Sequence, residues 1–324
     1  MKKIIILGNG FDLAHDLKTS YKDFIKYIFE SSINYNKEIR NDLIDVGGLL
    51  NEYQSYDFIK SELENILKFK NKYGYIKFNN IFFKQLISRY FETDWLNIEE
   101  HYFHVLNSTS SEGIELLQFE FEVIKKHLEN FLTSEIKSNN IKLIPEFFNI
   151  FLDNNPNQLI FLNFNYTLTV NKYIEDLNLG NKLKILNVHG ELNSNDNRII
   201  FGYGDDTNPK YTELINKNNN LYLNNLKRQL YNFSSVYSQI DSIINVHDTI
   251  DIYIIGHSLG LTDKTLLKEI LENQYVRDIK LFYYKDRNGF GELNNNIRRI
   301  VNDQTFKKVL NFTKCSSIPQ LDKE

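Results

Sequence analysis

The sequence predicts an α/β fold: a parallel sheet with helices on both faces and a large inserted helical block. Three observations carry this expectation. Short apolar runs without alternation suit strands buried on both faces. They are Lys3–Leu7, Gln158–Asn163, Lys184–Val188, Arg198–Phe201, Asp251–Ile255 and Ile279–Tyr284. Five of them stop at residues of polar or glycine character, namely Gly8, Asn163, His189, Gly202 and Gly256. Helical patterns fill the intervals. Ligands of open parallel sheets sit beyond the carboxyl ends of the strands, so those five stops are where function is expected.

The elements are expected to form one domain over residues 1–324, with core strands drawn from 1–20, 156–205 and 249–312. Two helical insertions, about 21–155 and 210–247, interrupt the core. Ser20, with Asp23 three residues on, opens the first as a capping-box analogue. Residues from about 50 to 155 contain no convincing strand. The second helical stretch runs from about Glu213 to Val246, with the Asn-rich Asn216–Asn220 as a loop.

Composition narrows the function classes. A hydrophobic fraction of 42%, with 24 Phe and 20 Tyr, supports a sizeable core. No apolar run reaches the roughly 18 residues of a membrane span. The run after Met1-Lys2-Lys3 is too short for a signal peptide and lacks a cleavage site, which predicts a cytoplasmic protein. A net charge of −4 gives no global basic field for nucleic acid. Lys227-Arg228 and Arg298-Arg299 read as solvated helix faces. Cys315 is the single cysteine, which excludes intrachain disulfides and a Cys-rich zinc site, and no metal is expected.

Four strand-end segments could carry chemistry. In Leu7-Gly8-Asn9-Gly10-Phe11-Asp12 a strand runs into a two-glycine turn. It is either a plain tight turn or a cradle whose N–H groups hold a diphosphate. The third glycine of a dinucleotide fingerprint is missing, because Ala14 and His15 stand near its place. Asn163-Phe164-Asn165-Tyr166-Thr167 offers amides that could orient a ribose or a water, or else forms a turn and helix cap. Val188-His189-Gly190 places a histidine where a general base could work, or where a structural histidine could sit.

The fourth, Gly256-His257-Ser258-Leu259-Gly260, matches the nucleophile elbow G-x-S-x-G of serine hydrolases. That fold needs a histidine after the serine. The seven histidines are His15, His101, His104, His127, His189, His247 and His257, and none follows Ser258. The elbow therefore fails on chain order unless the fold is permuted. The other reading is a second glycine/serine turn for ribose or phosphate, with Asp263 beginning the next helix.

Leu7-Gly8-Asn9-Gly10-Phe11-Asp12-Leu13-Ala14-His15, followed by Leu17-Lys18-Thr19-Ser20-Tyr21, closely resembles the bacteriophage abortive-infection AbiH family. Trp95-Leu96-Asn97-Ile98-Glu99, Asn163–Thr167, Val188-His189-Gly190 and Gly256–Leu259 are similar to that family's pattern as well. The resemblance spans residues 4 to about 267. The order of motifs more distantly resembles the sirtuin-like domains of antiphage proteins, and so implies a Rossmann-like (sirtuin-like) sheet.

Those domains bind NAD, and several hydrolyse it. The resemblance implies NAD as substrate, Asn165 and His189 as catalytic residues, and Gly8, Asn9, Gly10, Phe11, Asp12, Asn163, Tyr166, Thr167, Gly256, His257 and Ser258 as nucleotide contacts. Thr167 stands where many sirtuin-like proteins have Asp. The four-Cys zinc module of sirtuin deacetylases is missing, which argues against deacetylation. The expected function is an antiphage NAD glycohydrolase. The alternative is a non-catalytic nucleotide-binding sensor or toxin module, and a serine hydrolase acting through Ser258 comes third. A phage-derived trigger, an antitoxin partner and homo-oligomerisation are compatible with the resemblance.

Overall fold

The computed structural model describes residues 1–34, 40–46, 61, 64–65, 76–93, 97–138, 141–245 and 247–321. The chain divides into two compact units. One comprises Met1–Thr19, Leu132–Asn218 and Leu223–Glu324, and the other Ser20–Phe131 and Asn219–Tyr222.

The first unit is built on five strands: β1 (Lys2–Leu7), β2 (Gln158–Asn163), β3 (Leu183–Asn187), β4 (Ile250–Ile255) and β5 (Val276–Phe282). All pair in parallel, in the order β3-β2-β1-β4-β5. The chain moves outward from β1 to β3, then returns to the other side of β1 as β4. Strand order thus reverses between β1 and β4, and this switch point is where open parallel sheets place their ligand crevice. Register brings the ends level: Leu7 faces Asn163 and Ile255, and Asn163 faces Asn187.

The lack of alternation in β1 has a direct cause, since both faces of the strand are covered. Ile4 and Ile6 join Ile160, Leu162, Ile252 and Ile254 in one core. The helices Val236–Ile244, Lys264–Leu271 and Arg287–Ile300 contribute to that core. Ile5 and Leu7 join Leu159, Phe161, Tyr253 and Ile255 in the other, with Phe11, Phe147, Phe151 and Tyr173. The two lysines opening β1 are buried too. The Lys3 ammonium donates to the carbonyls of Ile150 (3.3 Å), Phe151 (3.2 Å) and Asp153. These are carbonyls at the C-terminal end of Pro145–Leu152, where a helix lacks internal partners.

Two departures from the sequence reading have physical reasons. Arg198–Phe201 is buried but forms no strand. Its backbone bonds go to the turn after β3: Ile200 N–H donates to the His189 carbonyl at 2.8 Å, and Glu191 N–H to Asn197 at 2.8 Å. The segment is a buried loop whose apolar side chains imitate a strand. Within the first helical insertion, Ile44–Asp45 pairs antiparallel with Lys77–Phe78, a ladder too short to register as periodicity. Much of 47–75, which falls in the predicted helical block, lies outside the described residues, as does Val246.

In the second unit, Ser20 and Asp23 form a reciprocal cap at the start of helix Tyr21–Asn34. Asp23 N–H donates to Ser20 Oγ (3.2 Å), and Ser20 N–H donates to Asp23 Oδ2 (3.1 Å). Helix Ile81–Thr93 is capped from afar. Glu120, buried on helix Ile114–Ser138, accepts from Ile81 N–H (2.7 Å) and Phe82 N–H (3.0 Å), while Asn80 Oδ1 accepts from Phe83 N–H (2.7 Å). Glu120→Ala removes the acceptor of the buried Phe82 amide and of the part-buried Ile81 amide and should destabilise this unit by about 2 kcal/mol, read by urea unfolding. An unchanged midpoint would show that the long-range cap contributes nothing.

Candidate active site at the strand ends

The turn after β1 lies directly against the turn after β4. Gly10 N–H donates to the Gly256 carbonyl at 2.8 Å, and Gly8 N–H to Ile255 at 3.1 Å. A Cβ on Gly8 would lie 2.4 Å from the Cα of His257, and one on Gly10 would lie 2.7 Å from the Cα of Gly256. Gly256 itself has φ +68°, and a Cβ there would lie 2.2 Å from the Phe11 nitrogen. Glycine is therefore required here by protein backbone. Phe11 N–H bonds the Gly8 carbonyl at 2.8 Å, so three amides of the expected diphosphate cradle already have internal partners.

The turn after β2 completes this contact. Asn165 Nδ2 donates to the Gly8 carbonyl (3.1 Å). Asn163 Nδ2 donates to the Thr167 carbonyl (2.8 Å) and to Asn187 Oδ1 (3.0 Å). Thr167 Oγ1 donates to Asp12 Oδ2 (2.6 Å), stapling the first helix, Asn9–Ala14, to this turn. Asp12 is fully buried, and its Oδ1 has no hydrogen-bond partner among the described residues. Burial pushes its carboxyl up to about 6, against the lowering effect of the Thr167 and Thr169 hydroxyls. Phe11 lies in the core, with its ring 4.8 Å from that of Phe147. His15 joins it there: Nδ1–H donates to the Phe11 carbonyl (2.7 Å), and Nε2 lies 2.6 Å from the Tyr173 hydroxyl.

His189 and His257 meet around a buried ion cluster. Asp263 Oδ1 accepts from Lys227 Nζ at 2.7 Å and lies 2.9 Å from His189 Nε2. His257 Nε2 is 3.6 Å from Asp263 Oδ2, and its Nδ1 accepts from Leu259 N–H (3.0 Å). The Phe164 ring sits edge-on to both imidazoles, at 5.1 Å and 4.7 Å between centroids. Burial works to raise the Asp263 carboxyl, but the Lys227 ammonium and the two histidines hold it well below the usual carboxylate range. Burial pulls His257 down to about 4, opposed by Asp263 and reinforced by His189 and Lys227.

The structure thus brings Gly8, Gly10, Asn165, Gly256 and His257 together, with His189 beside them through Phe164 and Tyr166. The Tyr166 ring lies 5.8 Å from that of His189. Asn163, Asp12, Thr167 and Phe11 serve as buried scaffold, whereas Asn9, Tyr166 and Ser258 reach the surface. Asn9 is tied to Thr19, whose Oγ1 donates to Asn9 Oδ1 at 2.6 Å. Ser258 is exposed, and its carbonyl accepts from Asn296 (2.9 Å). The left-handed positions in its segment are Gly256 and Leu259, so the strain falls beside the serine and not on it.

The sequence reading missed two residues. Lys227, read as part of a solvated face, is fully buried, while the side chain of its neighbour Arg228 reaches solvent as expected and pairs with Glu269 (2.6 Å). Asp263 does precede helix Lys264–Leu271, but its carboxylate makes no cap bond and turns inward instead. Trp95 and Leu96 lie outside the described residues. Asn97, next to them, caps helix Ile98–Ser108 by accepting from Glu100 N–H (3.0 Å).

The family model for bacteriophage abortive infection AbiH matches residues 4–285. The chain belongs to the AbiH family. That match contains every strand-end segment of the site and assigns an abortive-infection role in antiphage defence. A comparison with curated proteins gives no match. Among the described residues, no helix of this AbiH protein is long and apolar enough to cross a membrane.

His257 gives the cluster a pH signature. Its folded-state value is depressed, so between pH 6.5 and about 4 the unfolded chain binds a proton that the native chain does not. His257 therefore withdraws stability as pH falls through that window, by a few kcal/mol. His257→Asn keeps an acceptor for Leu259 N–H and should flatten this part of a stability-against-pH curve. A slope identical to that of the parent would contradict the assignment.

Proposed function

We propose that this AbiH protein is an NAD glycohydrolase acting in abortive infection. The reading is supported by one placement above all. A histidine braced by a buried carboxylate stands at the carboxyl edge of a parallel sheet, beside an asparagine bonded to the β1 turn at the switch point. The resemblance to sirtuin-like antiphage domains, noted in the sequence, adds the substrate.

The chemistry asks little of the protein. Water adds to the anomeric carbon as the bond to the pyridinium nitrogen breaks. The electron pair of that bond neutralises the departing nicotinamide, so no acid is needed. The transition state is oxocarbenium-like, as in glycosidases. His189 takes the proton released by the water or by a ribose hydroxyl, a role that supplies about 10²–10⁴-fold. Asn165 orients the ribose and water. The nucleotide contacts lie on the parts of the crevice that reach the surface: Asn9, Tyr166, Gly256 and Ser258.

The burial of His189 and Asn165, 5% and 6% exposed, favours a second reading in which the crevice binds a nucleotide without turnover. An activating phage-derived trigger or an antitoxin partner fits either reading. Incubating the purified protein with NAD and with ATP separately, and identifying the products by mass, separates the two. Release of nicotinamide and ADP-ribose from NAD is expected. His189→Ala and Asn165→Ala should each reduce that release at least about a hundredfold while the protein stays folded. Release equal to the parent's in both variants would refute the assignment.

A further inference from the structure

The glycohydrolase reading needs a proton-accepting atom but does not say which nitrogen of His189 supplies it. The cluster decides this. Asp263 Oδ1 lies 2.9 Å from His189 Nε2 and accepts from Lys227 Nζ at 2.7 Å. An ionised carboxylate has no proton to give, so Nε2 must be the donor in this contact. We infer that Asp263 and Lys227 are positioning residues for His189: the carboxylate fixes the Nε2–H tautomer, the ammonium keeps the carboxylate in place, and Nδ1 is left as the atom that accepts the proton.

Three features support this role. Lys227 is fully buried, and its ammonium donates to Asp263 Oδ1. Its backbone is held by a bond from Lys227 N–H to the Tyr203 carbonyl (2.8 Å), which fixes where the side chain enters. Asp263 makes no cap bond to the helix it precedes, so its side chain is committed to the cluster. His257 faces the other carboxylate oxygen at 3.6 Å, with its Nδ1 already accepting from Leu259 N–H. A base-bearing imidazole oriented by a buried carboxylate is a recurring solution to proton transfer. Here a buried lysine is added behind the carboxylate.

The inference rests on the glycohydrolase reading for its purpose, but its test includes a measurement that needs no substrate. Nitrogen NMR of the histidine side chains, with His189 assigned by loss of its signals in His189→Gln, reads the tautomer directly. The parent in alkaline buffer should show a proton on Nε2 and an unprotonated Nδ1. Asp263→Asn should populate the Nδ1–H form and lower nicotinamide release at least about a hundredfold. Removing one partner of a buried pair can unfold the chain. The double variant Lys227→Met/Asp263→Asn removes both charges together and carries the test if the single variants fail to fold.

A proton on Nδ1 in the parent, or an unchanged tautomer in the folded variants, overturns the positioning role. A parent with the expected tautomer that releases no nicotinamide overturns the glycohydrolase reading instead. The two failures are therefore told apart.

Discussion

Asp263 accepts from a lysine and braces a histidine on a single buried oxygen, and the organisation of the strand ends depends on that contact. A carboxylate taken out of water is tolerated only when its charge is matched and its lone pairs are used. Lys227 supplies the charge from a different part of the chain, and His189 supplies a hydrogen bond from the end of β3. Three segments with no sequence proximity are thereby held at one point. Such a knot is weak evidence for stability, since an apolar replacement can serve as well. It is better understood as fixing the orientation of His189.

The β1 turn changes meaning beside this cluster. Its glycines suit a phosphate cradle when only the sequence is read. The structure gives them another cause, the contact of two backbones across the switch point, where Gly10 N–H bonds the Gly256 carbonyl. Asn165 completes the contact by bonding Gly8. In the turn, the amides of Gly8, Gly10 and Phe11 are already bonded to protein carbonyls. The missing third glycine of the dinucleotide fingerprint then needs no special account.

The sheet was legible because its determinants are local. Ile4-Ile5-Ile6-Leu7 announces a strand covered on both faces, and Ser20 with Asp23 announces a helix start. The ion cluster was not legible, because its determinants are long-range. Nothing around Lys227 distinguishes a buried ammonium from the exposed guanidinium of Arg228. Its backbone bond to the distant Tyr203 carbonyl is visible only in the fold. Asp263 was visible as a residue preceding a helix, and its real task appears only once His189 and Lys227 are placed. Arg198–Phe201 failed in the opposite sense: burial gave it a strand's composition, while its hydrogen bonds go to a turn.

The central claim is that the strand-end crevice at the β1/β4 switch point receives a nucleotide. Titrating isotope-labelled protein with NAD while recording backbone and histidine resonances tests it most directly. The account predicts saturable shifts concentrated at Asn9, Asn165, Tyr166, His189, Gly256 and Ser258. Shifts confined to the second unit, or a spectrum unchanged at NAD concentrations well above those of cells, would contradict it.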